Sequence, residues 1–401
     1  MIDKTIQDLI NLYNSGKLDV IEKKVTEQIK KNPKNFVLYN LFGAVLSDKK
    51  NFDQAIVNYK KSLEINPNYA EGHNNLGITF YKLGKFIESI NSYHCAIKIK
   101  PDFAKPYNNL GLAYKELEKF NESVDSYHQA IKINPDYAEA HNNLGVTFKK
   151  IGELTKSIDS YKRAIKINPS YAEAYNNIGN AYNASQKIDD AILNYKKAIN
   201  LNTKFAEAYS NLGNLLKEIG KVEEAKEYED KLLKIESVDI EYKINVKLSM
   251  TPIVNSTDEI NYLREQYKSS LNDLRKYKYF VENPGDTLKT SFFHLAYHAK
   301  ENLEIMKNTS DLFRKMIPNI NYISKNIKKQ KEQKKIKIGF ISEFLTGHTI
   351  GKLFGGLIKY IDRKKFDIFI FHAPNTKKNI IKNEIDKLSY KVINLKNKIK
   401  E

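Results

Sequence analysis

Large apolar, small and proline positions recur along this chain with a fixed step of 34 residues, from near the N-terminus to about residue 235. Phe80, Tyr114, Phe148 and Tyr182 mark the large positions. Gly43, Gly77, Gly111, Gly145, Gly179 and Gly213 form a glycine column, and Pro33, Pro67, Pro101, Pro135 and Pro169 a proline column. Two further small-residue columns run through Ser62, Ala96, Ala130, Ala164 and Ala198, and through Ser89, Ser123, Ser157, Ala191 and Ala225. After residue 235 the rhythm stops. Met250 to Asn255 reads as an extended break. Ser256-Thr-Asp-Glu259 reads as a capping box opening a helix to about Tyr279, with Ile260, Leu263, Tyr267, Leu271 and Leu274 as its apolar stripe. A turn at Asn283-Pro-Gly-Asp and a further helix pair follow. At Ile336 the pattern changes class. Apolar runs at 336–344, 366–373 and 391–395 predict buried parallel strands, alternating with helices at about 350–361 and 377–388.

The 34-residue period resembles the tetratricopeptide repeat (TPR), a helix-turn-helix unit, from roughly Ile2 to Ile235. In that arrangement the small residues let helices A and B of a repeat approach closely, while aromatic and leucine side chains fill the space between. Proline, which lacks an amide hydrogen and clashes with the preceding turn, ends helix B. The segment Asn-Pro-Asp-Tyr-Ala-Glu-Ala at 134–140 then restarts the next unit. Seven units are expected: a degenerate first with Leu9 in the glycine column, five regular ones, and a last from Ala206 with Thr203 in the proline column. The expected fold class is mainly α. A TPR α-solenoid covers 1–239, a helical connector 240–324, a lysine-rich linker 325–335, and an incomplete α/β unit 336–401.

Composition narrows the context. With 401 residues, 41% of them apolar, the chain can bury real cores and is not a disordered polymer. Cys95 is the only cysteine, so no intramolecular disulfide forms and a reducing compartment is expected. The N-terminus has no signal-peptide apolar stretch, and nowhere do 18 apolar residues run together, so the chain reads as cytoplasmic with no membrane partner. A net charge of +18 raises the question of nucleic acid. Residues 325–401 carry +13 of it, however, leaving the helical part nearly balanced, and a general Lys, Asn and Ile bias accounts for the rest. Nucleic acid is not the expected partner.

The candidate chemistry lies on the A helices, which line the concave groove of such solenoids. Asn75, Asn109, Asn143, Asn177 and Asn211 stand two residues before successive glycines. An amide side chain donates and accepts at once, which matches a peptide backbone whatever its side chains. This ladder is the expected binding site for extended polypeptide or protein acceptors. The adjacent column, Asn74, Asn108, Asn142 and Asn176, reads as carried along by repeat duplication. His73, His94, His128 and His141 recur at repeat-equivalent positions and read as packing or groove residues. His294 and His298 stand four apart without a third ligand, and no metal site is expected. The loop Leu345-Thr-Gly-His-Thr-Ile-Gly-Lys leads into a predicted helix N-terminus, a natural anion site. With Thr346 and Leu353 at its key positions it is not a Walker A loop, and no GxGxxG pattern is present.

The order of parts carries a second resemblance. A repeat array, a connector with a Thr-Pro break and Phe293 to Tyr297, and then KIKIGFISEFLTGHTIGKLF resemble the bacterial protein O-GlcNAc transferase and SPINDLY-like glycosyltransferases. The resemblance implies a GT-B catalytic region whose first Rossmann-like domain starts near Ile336. It implies UDP-GlcNAc or a similar sugar nucleotide as donor, and Ser or Thr of proteins as acceptor. His348 is then the catalytic residue on the acceptor side, orienting or deprotonating the hydroxyl that attacks the anomeric carbon. Gly351 stands where the family has a second histidine. The stretch 336–401 is too short for the two Rossmann-like domains of that family, so this chain is expected to hold no cofactor and to transfer no sugar by itself. The alternative expectation is a non-catalytic TPR scaffold for protein–protein interaction.

Overall fold

The computed structural model describes residues 4–235, 238–249, 256–277, 280–281, 301–317, 336–342, 358–372 and 380–394. The break at 250–255, the turn at 283–286, His294, His298, the 325–335 linker and the loop carrying His348 lie outside the described residues. The chain divides into two compact units, Met1–Ile317 and Pro318–Glu401.

Seven helix pairs make up the repeat region. They are α1 (Lys4–Asn14) with α2 (Leu18–Lys31), α3 (Phe36–Asp48) with α4 (Phe52–Ile65), and α5 (Ala70–Lys82) with α6 (Phe86–Ile99). Next come α7 (Ala104–Glu116) with α8 (Phe120–Ile133), and α9 (Ala138–Lys150) with α10 (Leu154–Ile167). The last two pairs are α11 (Ala172–Ala184) with α12 (Ile188–Leu201), and α13 (Ala206–Glu218) with α14 (Val222–Leu233). The glycine column has a specific partner. In five repeats a buried helix B tyrosine, from Tyr59 through Tyr195, lays its ring against the helix A glycine. A Cβ on Gly77 would lie 2.5 Å from Tyr93, and one on Gly111 2.7 Å from Tyr127, well inside contact distance. The serine column has its own bond. Ser89, Ser123 and Ser157 each donate to the carbonyl of the glycine twelve residues earlier, at 2.8 Å. Glycine, serine and tyrosine thus interlock in the third, fourth and fifth repeats.

A further column emerges at the A–B turn. The Gly84 amide bonds the Tyr81 carbonyl and the Lys85 amide bonds the Phe80 carbonyl, both at 2.9 Å, a Schellman closure. Its first residue past the helix cap must take a positive φ. Gly16, Gly84, Gly152 and Gly220 do so, and Lys50, Glu118 and Gln186 do so in alternate repeats. A side-chain-bearing residue pays steric strain there. Glu118→Gly and Gln186→Gly are each expected to stabilise the chain by about 0.5–1 kcal/mol, read as a raised urea midpoint.

The last repeat departs from the rule. Glu229 takes the place of the tyrosine beneath Gly213 and pairs with Lys217 at 2.5 Å, both largely buried. Burial raises the Glu229 carboxyl above its usual range, with Lys217 pulling the other way. The folded chain therefore holds this proton more tightly than the unfolded chain. The contribution favours folding below the ordinary carboxylate range and fades as pH rises through it. Glu229→Gln is expected to flatten the pH dependence of the melting temperature from the ordinary carboxylate range upward.

Beyond it, α15 (Ile240–Lys247) presents Tyr242 and Val246 to the apolar core of the last repeat, closing that end of the stack. Ser256 caps α16 (Thr257–Leu274), its hydroxyl accepting from the Glu259 amide at 3.1 Å, as the capping box predicts. The helix ends at Leu274, before the expected Tyr279, and the Arg275 guanidinium just past it bonds Asn308 on α17 (Leu303–Met316) at 2.9 Å. Tyr267, Leu271 and Leu274 pack with Ile305, Leu312 and Met316 in a core of their own.

The second unit contains β1 (Ile336–Ser342), β2 (Phe366–His372) and β3 (Lys391–Asn394), all parallel, in the order β1-β2-β3. Helix α18 (Ile380–Lys387) joins β2 to β3, and Ile358, Ile368, Ile370 and Ile385 form the core. At the end of β2, buried His372 meets Asp386 at 2.5 Å, and Lys382 holds the other carboxylate oxygen at 2.7 Å. Three parallel strands with α18 between the last two fit an incomplete α/β unit, but they lend no support to a Rossmann-like fold; most of the expected helix at 350–361 lies outside the described residues.

Candidate functional site

Each A helix touches the next A helix in the series α3, α5, α7, α9, α11 and α13, whereas successive B helices stand farther apart. Unit spacing is therefore smaller on the A side, and the A helices line its inner face. The five expected site residues sit at these A–A seams. All are half-buried.

Their bonding corrects the reading of the neighbouring column. Asn109 donates through Nδ2 to Asn74 Oδ1 at 3.0 Å, one repeat back. Asn143 donates to Asn108 and Asn177 to Asn142, both at 3.0 Å, and Asn211 to Asn176 at 2.9 Å. Asn75 reaches Asn40, the equivalent residue of the second repeat, at 3.1 Å. Asn74, Asn108, Asn142 and Asn176 are buried. They are the inter-repeat fasteners, not passengers of duplication.

A third member sets the direction. Asn108 Nδ2 donates to Glu139 at 3.1 Å, Asn142 to Glu173 at 3.2 Å, and Asn176 to Glu207 at 3.0 Å. A carboxylate only accepts, so it fixes which end of the buried amide faces it. The oxygen of that amide then faces the next repeat, whose asparagine must offer its nitrogen. The result is that Asn143, Asn177 and Asn211 keep Oδ1 and one Nδ2 hydrogen free among the described residues. Lys105 stands at the first of these acid positions, so Asn74 has no carboxylate of this kind. Periodicity could have flagged Glu139, Glu173 and Glu207, which repeat at 34 residues, but not their bond to a residue 31 positions earlier.

The surroundings suit a neutral, partly apolar chain. Ile78, Leu112 and Val146, half-buried, lie three residues beyond the ladder on the same helix face; Asn180 and Asn214 follow in the next two repeats. Burial, and then Glu139, push the Tyr137 phenol up to about 12; burial, and then Glu173, raise Tyr171 as well. These phenol oxygens accept from Asn108 and Asn142, and the phenols stay protonated at neutral pH. Of the other candidates, His73 and His141 bond the carbonyls of Pro67 and Pro135 at 3.0 and 3.1 Å, and His94 meets the Tyr114 hydroxyl at 3.3 Å. Among the described residues no cluster of His, Cys, Asp and Glu could hold a metal ion.

Family comparison agrees with this geometry. The TPR repeat family model matches residues 43–84, 79–118, 113–152, 147–186 and 179–220, and a second tetratricopeptide repeat model matches 206–239. Residues 43–239 are tetratricopeptide repeats. Comparison with curated proteins found no match. Among solved structures, MamA is 33% identical over 41% of this chain and 96% of its own, with a TM-score of 0.37. YrrB, described as a TPR protein with an unusual peptide-binding site, is 21% identical over 46% of this chain and 95% of its own, with a TM-score of 0.37. The Cut9–Hcn1 hetero-tetramer of the APC/C is 16% identical over 66% of this chain and 48% of its own, with a TM-score of 0.51, a likeness of fold alone. The TPR matches stop at residue 239, so the glycosyltransferase resemblance gains no support from them. No described helix is long and apolar enough to cross a membrane.

Proposed function

We propose that this protein is a TPR scaffold whose inner face holds an extended segment of a partner polypeptide by its backbone. The observation that carries the reading is the row of outward amides at Asn143, Asn177 and Asn211, oriented by buried asparagines and by Glu139, Glu173 and Glu207. Asn75 and Asn109 continue the row toward the N-terminus. A pre-oriented amide bonds a peptide group without first losing its own freedom, which favours binding. Because the contact is to backbone, a labelled flexible 20-residue peptide and its scrambled version are expected to bind within about twofold of each other in fluorescence anisotropy. Methylating alternate backbone nitrogens of that peptide is expected to weaken binding at least about tenfold, since each blocked amide loses a hydrogen bond. Equal binding of the methylated peptide would count against the reading.

A second reading rests on the parallel β-α-β arrangement of the second unit and the resemblance of 336–355 to sugar-nucleotide transferases. In it the scaffold delivers Ser or Thr hydroxyls to a UDP-GlcNAc-dependent site near His348. It predicts no transfer from UDP-GlcNAc to an acceptor protein by this chain alone and transfer by a chain extended past residue 401; an extended chain that transfers no sugar removes it.

A further inference from the structure

A crevice of about 460 Å³ opens between the B helices of the fourth and fifth repeats, α8 and α10, floored by α9. Its floor is apolar, built by Ile131, Leu144 and Phe148. Its rim carries three cations, Lys132, Lys156 and Arg163, beside the imidazoles of His128 and buried His141, against the single carboxylate of Asp159. Among the described residues neither Lys132 nor Arg163 pairs with a carboxylate, and Lys156 reaches only Glu153 of its own helix, at 3.3 Å between exposed side chains. Lys156 also stands over the Phe148 ring at 5.7 Å.

The same seam two repeats later is bonded differently. There Lys196 of α12 meets Glu224 of α14 at 2.8 Å and ties the two B helices together. His128 and Lys156 occupy the equivalent positions, so the cross-seam acid has become a second base. The column of Glu224 reads Glu88, Glu122, Lys156, Asp190 and Glu224, and only the fifth repeat carries a cation. That choice works against local stability. An acid in the first turn of a helix is favoured by the dipole, and α10 alone among the six B helices from α4 to α14 has none. Arg163, on the next turns of the same face, is the only arginine before residue 264 in a chain that otherwise uses lysine. Its planar guanidinium is suited to gripping a carboxylate at two points. Burial lowers the His141 imidazole below its usual range, and Arg163 and His128 add to the effect, as uncompensated positive charge does.

We propose that this crevice binds an acidic peptide segment of a partner protein, one carboxylate taking the place that Glu224 fills in the later seam and an adjacent bulky apolar side chain resting on Phe148. The missing group is a protein carboxylate, and the crevice is open along one side, so it takes part of a larger chain. This site is separate from the asparagine ladder, which lies on another face of α9. A fluorescein-labelled peptide, Gly-Glu-Phe-Glu-Leu-Glu-Gly, is the probe, with a copy bearing Lys for Glu as control. The intact chain is expected to bind the acidic peptide saturably, to ignore the basic one, and to lose affinity as NaCl rises. Lys156→Glu restores the residue type of the other repeats, so helix content and melting temperature are retained while affinity falls at least about tenfold. Arg163→Gln weakens binding about fivefold, and Asn143→Ala leaves it unchanged. Equal binding of the two peptides, or full affinity in a folded Lys156→Glu protein, overturns the proposal.

Discussion

Gly111→Val is expected to destabilise the repeat array by about 3 kcal/mol, a melting temperature lower by roughly 6–12 °C, measured by circular dichroism. The first added carbon lands 2.7 Å from Tyr127, whose ring is fully buried and cannot swing aside. The helix must move instead. Moving it also disturbs the 2.8 Å bond from Ser123 to the Gly111 carbonyl, leaving a buried hydroxyl without its acceptor. The control lies in the same column. A carbon on Gly213 meets the aliphatic Cγ of Glu229 at 3.3 Å, a softer neighbour than a buried ring. Alanine is also the better helix former. Gly213→Ala is therefore expected to stay within about 0.5 kcal/mol of the parent. If both substitutions cost the same, packing on tyrosine is not what the glycine column serves.

Asn142→Leu is expected to cost about 2–3 kcal/mol and to weaken polypeptide binding together with stability. The side chain is fully buried and joins two repeats: it accepts from Asn177 and donates to Glu173. Leucine of similar volume fills the space but strands the Asn177 amide nitrogen, which then turns to find another partner. Its outward oxygen no longer has a fixed direction. By contrast Glu173→Gln keeps an acceptor for Asn142 and is expected to change stability by less than about 0.5 kcal/mol, because the acid is exposed and a neutral bond replaces a charge-assisted one. Titration of both variants with the flexible peptide separates orientation from folding: at temperatures where each remains folded, Asn142→Leu loses the most affinity, and Glu173→Gln, whose amide can also donate and so no longer fixes the direction of Asn142, a smaller part.

Much of this was legible in the residues. The 34-residue columns announce the stack, since the small residues where helices A and B meet are held at fixed spacing; the buried tyrosines from Tyr59 to Tyr195 that face the glycines keep the same step but were not read as their partners. The capping box at Ser256 was readable from spacing too: its bond spans three residues. What periodicity hides is bonding between columns. Asn109 meets a residue 35 positions earlier, and Asn108 a residue 31 positions later, so two asparagine columns that look duplicated play different parts. The positive-φ turn was hidden because glycine fills it in only every second repeat, with Lys50, Glu118 and Gln186 between. α16 ends with the last residue of its apolar stripe, Leu274, where the sequence reading carried it on to Tyr279.

The central claim is that the outer asparagine column grips a polypeptide backbone. Replacing Asn75, Asn109, Asn143, Asn177 and Asn211 together with alanine removes the grip and also the five inter-repeat bonds to Asn40, Asn74, Asn108, Asn142 and Asn176, so the variant is compared with the parent at a temperature where both are folded. Measured by anisotropy with the flexible 20-residue peptide, the folded variant is expected to bind about a hundredfold more weakly than the parent, as the loss of several hydrogen bonds at once requires. Unchanged affinity in a variant that keeps its helix content and melting transition would contradict the account.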